Sequence, residues 1–292
     1  MSIARIQPTA IIPDTTPQRA QQQRLRYLVV PREHGAWGMM LIPLLTGLIV
    51  GRLHGGRLLP GIAFAVLALA LFWLRTPLES WLGTSAMRAQ TAAERRYVIV
   101  AILGIAALAL SAAAVLFQFA APAPWMALAA LCAAGFALQA LLKSRGRSFR
   151  MPAQIIGALV LTATAPGAYY AVTSRFDASA WALWLANWLF AGDQIHFVQV
   201  RIHGARLNRW REKYSQARGF LAGQVALALL ITTASLFGFL PRWALLAFIP
   251  ILLRGLAWFW QPAAPLNVRR LGWSEMLQAI VFAVLLVTAF QL

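Results

Sequence analysis

Four carboxylates, Glu33, Glu79, Asp193 and Glu275, stand near or inside strongly apolar stretches, where a bare charge is costly. The densest polar group surrounds the third of them, in ANWLFAGDQIHFVQVRIHGARLNRWREKY. Asp193, His196, Val200 and His203 follow a 3, 4, 3 spacing, so they line one face of a helix. Gln199 and Arg206 flank that face, and Gly192 and Asn187 lie deeper. A carboxylate and an imidazole three residues apart can hydrogen-bond, which raises the imidazole's basicity and fixes its tautomer. Asp193 and His196 are therefore candidates for proton transfer, with Asn187 and Arg201 as substrate contacts. The competing reading is a polar clasp that only holds helices together.

Two further groups carry the same ambiguity. In PREHGAW, Arg32, Glu33 and His34 precede an apolar run, with Trp37 one turn on. A carboxylate at a helix start meets the positive end of the dipole, so Glu33 reads as a cap beside an interfacial Trp. It reads equally as part of a polar patch at a cavity mouth, with Glu33 and His34 catalytic and Arg32 and Trp37 binding substrate. In FWLRTPLESWLG, Arg75 and Glu79 are four apart across Pro77, which loosens the helix. They form either an internal ion pair or a contact for an anionic substrate group. Glu275 and Gln278 open the last apolar stretch, and Glu275 is a helix-start acid or a ligand. Arg254 interrupts the stretch before it and either snorkels or points into a cavity.

Composition sets the elements that must position these groups. The chain has 292 residues, 60% hydrophobic and only 12% charged, the profile of a helical membrane protein. The net charge of +18 then reads as topology signals and anionic-lipid contacts, and nucleic acid is not an expected partner. Apolar windows predict about nine spans, near 34–51, 58–74, 97–118, 125–142, 153–172, 178–200, 219–239, 242–260 and 274–291. Of 26 basic residues, 21 fall on the side of the N-terminus and the loops after even-numbered spans, and four on the other. The predicted topology is N-in and C-out, in the inner membrane of a bacterium, with the longer polar loops facing the cytosol. Residues 1–30 read as a disordered basic cytosolic tail, and 31–292 as one transmembrane helical domain. H-E-x-x-H, Cys pairs, Walker loops, G-x-G-x-x-G and G-x-S-x-G are all absent. The single cysteine, Cys132, sits in an apolar run and reads as packing. A three-histidine metal site from His34, His196 and His203 would need the helices to meet.

PREHGAW, the Pro-containing span after it, the R-T-P-L element and HFVQVR together resemble the YwiC-like family of membrane proteins, from about residue 29 onward. The arrangement of nine spans with polar loops after the second and sixth is similar to the UbiA-type intramembrane prenyltransferases. That resemblance implies an all-α UbiA-like bundle in which aspartate-rich motifs hold Mg²⁺ on an isoprenyl diphosphate. Here the first motif is RTPLESWLG with Glu79 alone, and the second offers Asp193 followed by His and Arg, too few carboxylates for two Mg²⁺ ions. Arginines could neutralise an isoprenoid or other lipid-linked anion without metal. Three functions stay open: a UbiA-like transferase with His196 or Glu33 as general base, a transporter of a small anion or metabolite, and a non-catalytic membrane assembly factor.

Overall fold

The computed structural model describes residues 17–31, 34–84 and 87–292. Among the described residues every regular element is a helix: α1 (Pro17–Val29), α2 (His34–Leu53), α3 (Leu58–Leu82), α4 (Ala92–Leu116), α5 (Pro122–Ser144), α6 (Arg150–Thr162), α7 (Thr164–Thr173), α8 (Ala178–His203), α9 (Trp210–Leu236), α10 (Ala244–Ala257) and α11 (Val268–Ala289). Short 3₁₀ turns occupy Arg147–Phe149 and Trp258–Trp260. Seven segments are long and apolar enough to cross a membrane: α2, α3, α4, α5, the α6–α7 pair, α9 and α11. The chain is an integral membrane protein of the all-α class. All nine segments expected as spans are helical, but α8 and α10 fall outside the seven. The reason for α8 is its polar content, from Asn187 through Gln199. The reason for α10 is length, since its helix has only 14 residues.

The chain groups into two compact units, one of residues 1–32 and 70–108, the other of 33–69 and 109–292. In the first unit, 13 residues of the stretch expected to be a disordered tail form α1. The sequence PQRAQQQRLRYLV places Pro at the helix start, where its missing N–H is harmless, and follows it with good helix formers. Its apolar face, Leu25, Leu28 and Val29, packs with Ala89 and Val98. Arg24 Nε reaches Glu94 Oε1 at 2.5 Å. Glu94 also accepts from the Gln90 and Thr91 amides, while Thr91 Oγ1 accepts from Glu94 N at 3.1 Å, a capping box that starts α4. Residues 1–16 lie outside the described residues.

In the second unit, α2 lies against α7 through the glycines of GLIVG. A Cβ on Gly47 would stand 2.2 Å from the Ala165 carbonyl oxygen, and one on Gly51 3.0 Å from Val172 Cβ. Small residues four apart let two backbones meet where lipid offers no hydrophobic drive. The fifth expected span is broken at Ala163 into α6 and α7, because Pro166 cannot donate to the preceding turn. The Thr164 hydroxyl lies 3.0 Å from Met40 O and 2.9 Å from Leu161 O, so it serves backbone near the break. α8 is tied to α6 by indole N–H donors, Trp184 to Leu159 O and Trp188 to Ile155 O. The core of the unit gathers Leu183, Phe190, Ile231, Phe248, Phe282 and Leu286, with the Phe190 and Phe282 rings stacked at 4.0 Å.

Candidate functional site

The polar face of α8 meets three other helices of the second unit. Arg254 of α10 donates through Nη2 to Asp193 Oδ2 at 2.8 Å, and through Nη1 to Glu275 Oε2 on α11. Gln224 of α9 donates through Nε2 to Asp193 Oδ1. Gln194, next to Asp193, donates to the Glu275 carbonyl at 2.9 Å. The Arg254 guanidinium lies over the Phe197 ring, 4.1 Å from its centroid, a cation–π contact in a dry setting. Gly255 is what brings α9 this close: a Cβ there would stand 2.9 Å from Gln224 Oε1 and 3.0 Å from Phe220 Cζ.

Two carboxylates share one guanidinium here, and Arg201 lies within electrostatic reach of Glu275, so protein groups balance the cluster's charge. Side-chain exposure is 11% for Arg254, 2% for Asp193 and 12% for Glu275, so water compensates little of it. Glu275 Oε1, Gln224 Oε1, Gln278 Oε1 and Arg254 Nε are buried without a partner. Unpaired buried polar atoms are uncommon, and each one costs roughly 1–3 kcal/mol. A proton or a solute N–H or O–H delivered to Glu275 Oε1 would satisfy one of them.

The residues singled out from the sequence divide between this cluster and other places. Asp193 is at its centre. The expected Asp193–His196 hydrogen bond is not made, because charge-assisted donation from Arg254 and the Gln224 amide occupy both carboxylate oxygens. The His196 ring instead stands edge-on to Phe220, centroids 5.3 Å apart. His203 Nδ1 turns back to the Gln199 carbonyl at 2.7 Å. Asn187, 1% exposed, donates to Thr46 Oγ1 at 3.1 Å and to Leu183 O at 2.8 Å, which clasps α8 to α2. Arg201 donates to the neutral Gln261 Oε1 at 2.8 Å. Trp37 is half-buried in α2. Arg75 and Glu79 belong to the first unit and pair at 2.7 Å along one face of α3. Arg32, Glu33 and the side chain of His34 lie outside the described residues.

The cluster's other members, Arg254, Glu275 and Gln224, did not stand out as a group in the sequence. One signal pointed to them: a lone arginine in an apolar stretch needs a carboxylate of its own depth, and few are available. Lys213 gave no signal, sitting among the basic residues of a loop. It is 2% exposed, and its Nζ donates to the carbonyls of Trp258 (3.3 Å), Phe259 (3.4 Å) and Gln261. It caps the negative end of α10 and its 3₁₀ turn with a charge that meets no carboxylate among the described residues.

Metal binding finds little here. Among the described residues no three His, Cys, Asp or Glu side chains come together as ligands. The two carboxylates that would correspond to Mg²⁺ motifs are each engaged by an arginine, Glu79 by Arg75 and Asp193 by Arg254, so this donor set does not fit Mg²⁺.

Residues 30–169 match the family described as YwiC-like protein. The chain is similar to that family over PREHGAW, the Arg75–Glu79 pair and most of the α2–α7 contact, while the charge cluster lies beyond the matched stretch. No curated protein and no solved structure matches the chain.

Proposed function

We propose that this membrane protein, YwiC-like over its first half, is a proton-coupled carrier of a small polar solute. The observation that carries the proposal is the buried cluster in which Arg254 is held between Asp193 and Glu275 on three separate helices. Charges placed there for stability alone are a poor choice, since well-packed apolar residues do as well or better. Protonating Glu275 removes its charge and leaves Arg254 paired with Asp193 alone. The tie between α10 and α11 is then weakened, and α11 is free to shift against its neighbours. Prolines lie within two helices of this unit, Pro250 in α10 and Pro43 in α2, and α6 gives way to α7 at Ala163. Discontinuous helices of this kind build the mobile sites of secondary transporters. With the basic-residue bias as the guide, the cluster opens toward the cytosol of a bacterial cell, in its inner membrane.

The test uses proteoliposomes with a trapped pH dye and a panel of amino acids, organic acids and phosphate esters. Wild type should accumulate at least one solute with proton uptake. Glu275→Gln, fixed in a neutral form, should keep exchange and lose accumulation driven by a pH gradient. A protein in which Glu275→Gln changes only the melting temperature, with no solute linked to protons in wild type, would sink the carrier.

A second reading is favoured by Arg201, a cation near Glu275 whose hydrogen-bond partner is the neutral Gln261. Such a group is available to a lipid-linked anion, as a UbiA-like transferase or an isoprenoid-binding protein would require, and anionic lipids are its simplest partners. Melting curves with isoprenyl diphosphates, with and without Mg²⁺, separate this from the carrier. A rise abolished by Arg201→Gln would favour lipid-anion binding. The crevice touching the cluster, between α2 and α8 beside Asn187 and Gln194, measures about 10 Å³. That is room for about one water and not for a lipid tail.

A further inference from the structure

At the far ends of the same helices, about 21 Å along α8 from Asp193 by the helical rise, a pocket of about 430 Å³ opens. Its size falls within the roughly 300–1,000 Å³ of small-molecule sites. His54, Ser179, Ser235 and Arg242 supply its polar lining, and Leu236 and Phe239 part of its apolar lining. From these we infer that the pocket binds a small oxyanion, a phosphate or carboxylate group.

Two features point to that chemistry, and two neighbouring groups set its surroundings. Arg242 is exposed and makes no ion pair among the described residues, so its charge is available. Ser235 is only 5% exposed, yet its hydroxyl has no hydrogen-bond partner, and it lines the pocket. Ala178 and Ser179 bring the first turn of the 26-residue α8, whose positive end is already met by its N-cap carboxylate, Asp177. His54 Nδ1 lies 3.1 Å from the Tyr169 hydroxyl, which donates to Asp177 Oδ2 at 3.1 Å. Because Tyr169 gives its proton to Asp177, Nδ1 is the donor to the tyrosine oxygen, and Nε2 donates to an oxyanion in the pocket only as the imidazolium. Asp177 is the carboxylate in this chain. Its oxygens are engaged by Tyr169 and by the Ser179 amide at 3.0 Å.

The surroundings admit two sources for such a group. Trp181, Phe237, Phe239 and Trp243 are exposed at this end, as expected for aromatic side chains at headgroup depth. The oxyanion is thus carried by a free solute or by a lipid headgroup. This inference is independent of the carrier reading.

The experiment measures melting temperature of the full chain in neutral detergent. Sodium phosphate, sodium acetate or dihexanoylphosphatidylglycerol is titrated at ionic strength matched with sodium chloride. A saturable rise is expected with at least one probe, by mass action on the native state. Arg242→Gln should weaken that binding about tenfold, the loss of one charge-assisted contact, and Ser235→Ala less. Glu275→Gln should leave it unchanged, which keeps failure of the pocket distinct from failure of the carrier. Response to phosphate or acetate assigns a free solute, and response to the phospholipid alone assigns a headgroup. No rise beyond that of chloride, or a rise that survives both Arg242→Gln and Ser235→Ala, overturns the inference.

Discussion

Arg75 with Glu79, and Arg254 with Asp193 and Glu275, use the same two kinds of side chain in opposite ways. The first is an i, i+4 pair on one helix, with both partners about 40% exposed. The second joins three helices and is nearly dry. An exposed helical pair of this kind is worth about 0.3–0.5 kcal/mol, because water already solvates each partner. Removing one member of a buried set costs about 3–5 kcal/mol, because a charge is left without solvent or counter-charge. Proximity to a partner therefore says little about what an ion pair contributes; the loss of water decides it.

The largest effect is expected for Arg254→Ala, which strands two buried carboxylates. Unfolding in a denaturing detergent titration should show a loss of about 3–5 kcal/mol. Replacing the whole set sharpens the contrast. Asp193→Leu, Arg254→Met and Glu275→Leu combined should restore stability to wild type or above, while proton-linked transport stays absent. If the triple variant transports normally, the cluster is architecture only. Lys213→Met comes next, at about 1–3 kcal/mol, since it strips the donor from three buried carbonyls, and thermal unfolding reads it. Asn187→Ala removes one interhelical hydrogen bond and should cost about 0.6 kcal/mol by the same assay. Arg75→Ala closes the series at no more than about 0.5 kcal/mol, and a double-mutant cycle with Glu79→Ala should return a coupling of that size.

Much of the architecture was legible in the sequence, because an apolar run and a basic flank are local signals. Each of the nine segments proved helical, and the Pro166 break needed only the missing N–H. The helix at Pro17–Val29 was missed because its polar composition resembles a tail, and its partners Ala89, Glu94 and Val98 are distant in sequence. The candidate site was legible as a set of costly residues and not as a set of partners. Asp193 was evident, but its bond to Arg254 spans 61 positions, and no periodicity encodes that distance. The nearer candidate, His196, was chosen by spacing along one helix, whereas the contacts are made between helices. Lys213 was invisible because a lysine in a basic loop is ordinary until α10 ends above it.

The 14 residues of α10 span about 21 Å, whereas the hydrocarbon layer is about 30 Å thick. Its 3₁₀ turn and the exposed segment 261–267 follow before α11 begins. If α10 crosses the membrane, a bilayer fitted to it would dimple locally, at a cost that grows with each ångström of mismatch. Arg254 lies in the last turn of α10, so the dimple brings headgroups and their water nearest to it. Membranes of different thickness would therefore set different hydration at the cluster, which makes lipid chain length a control on the protein that no residue substitution is needed to apply.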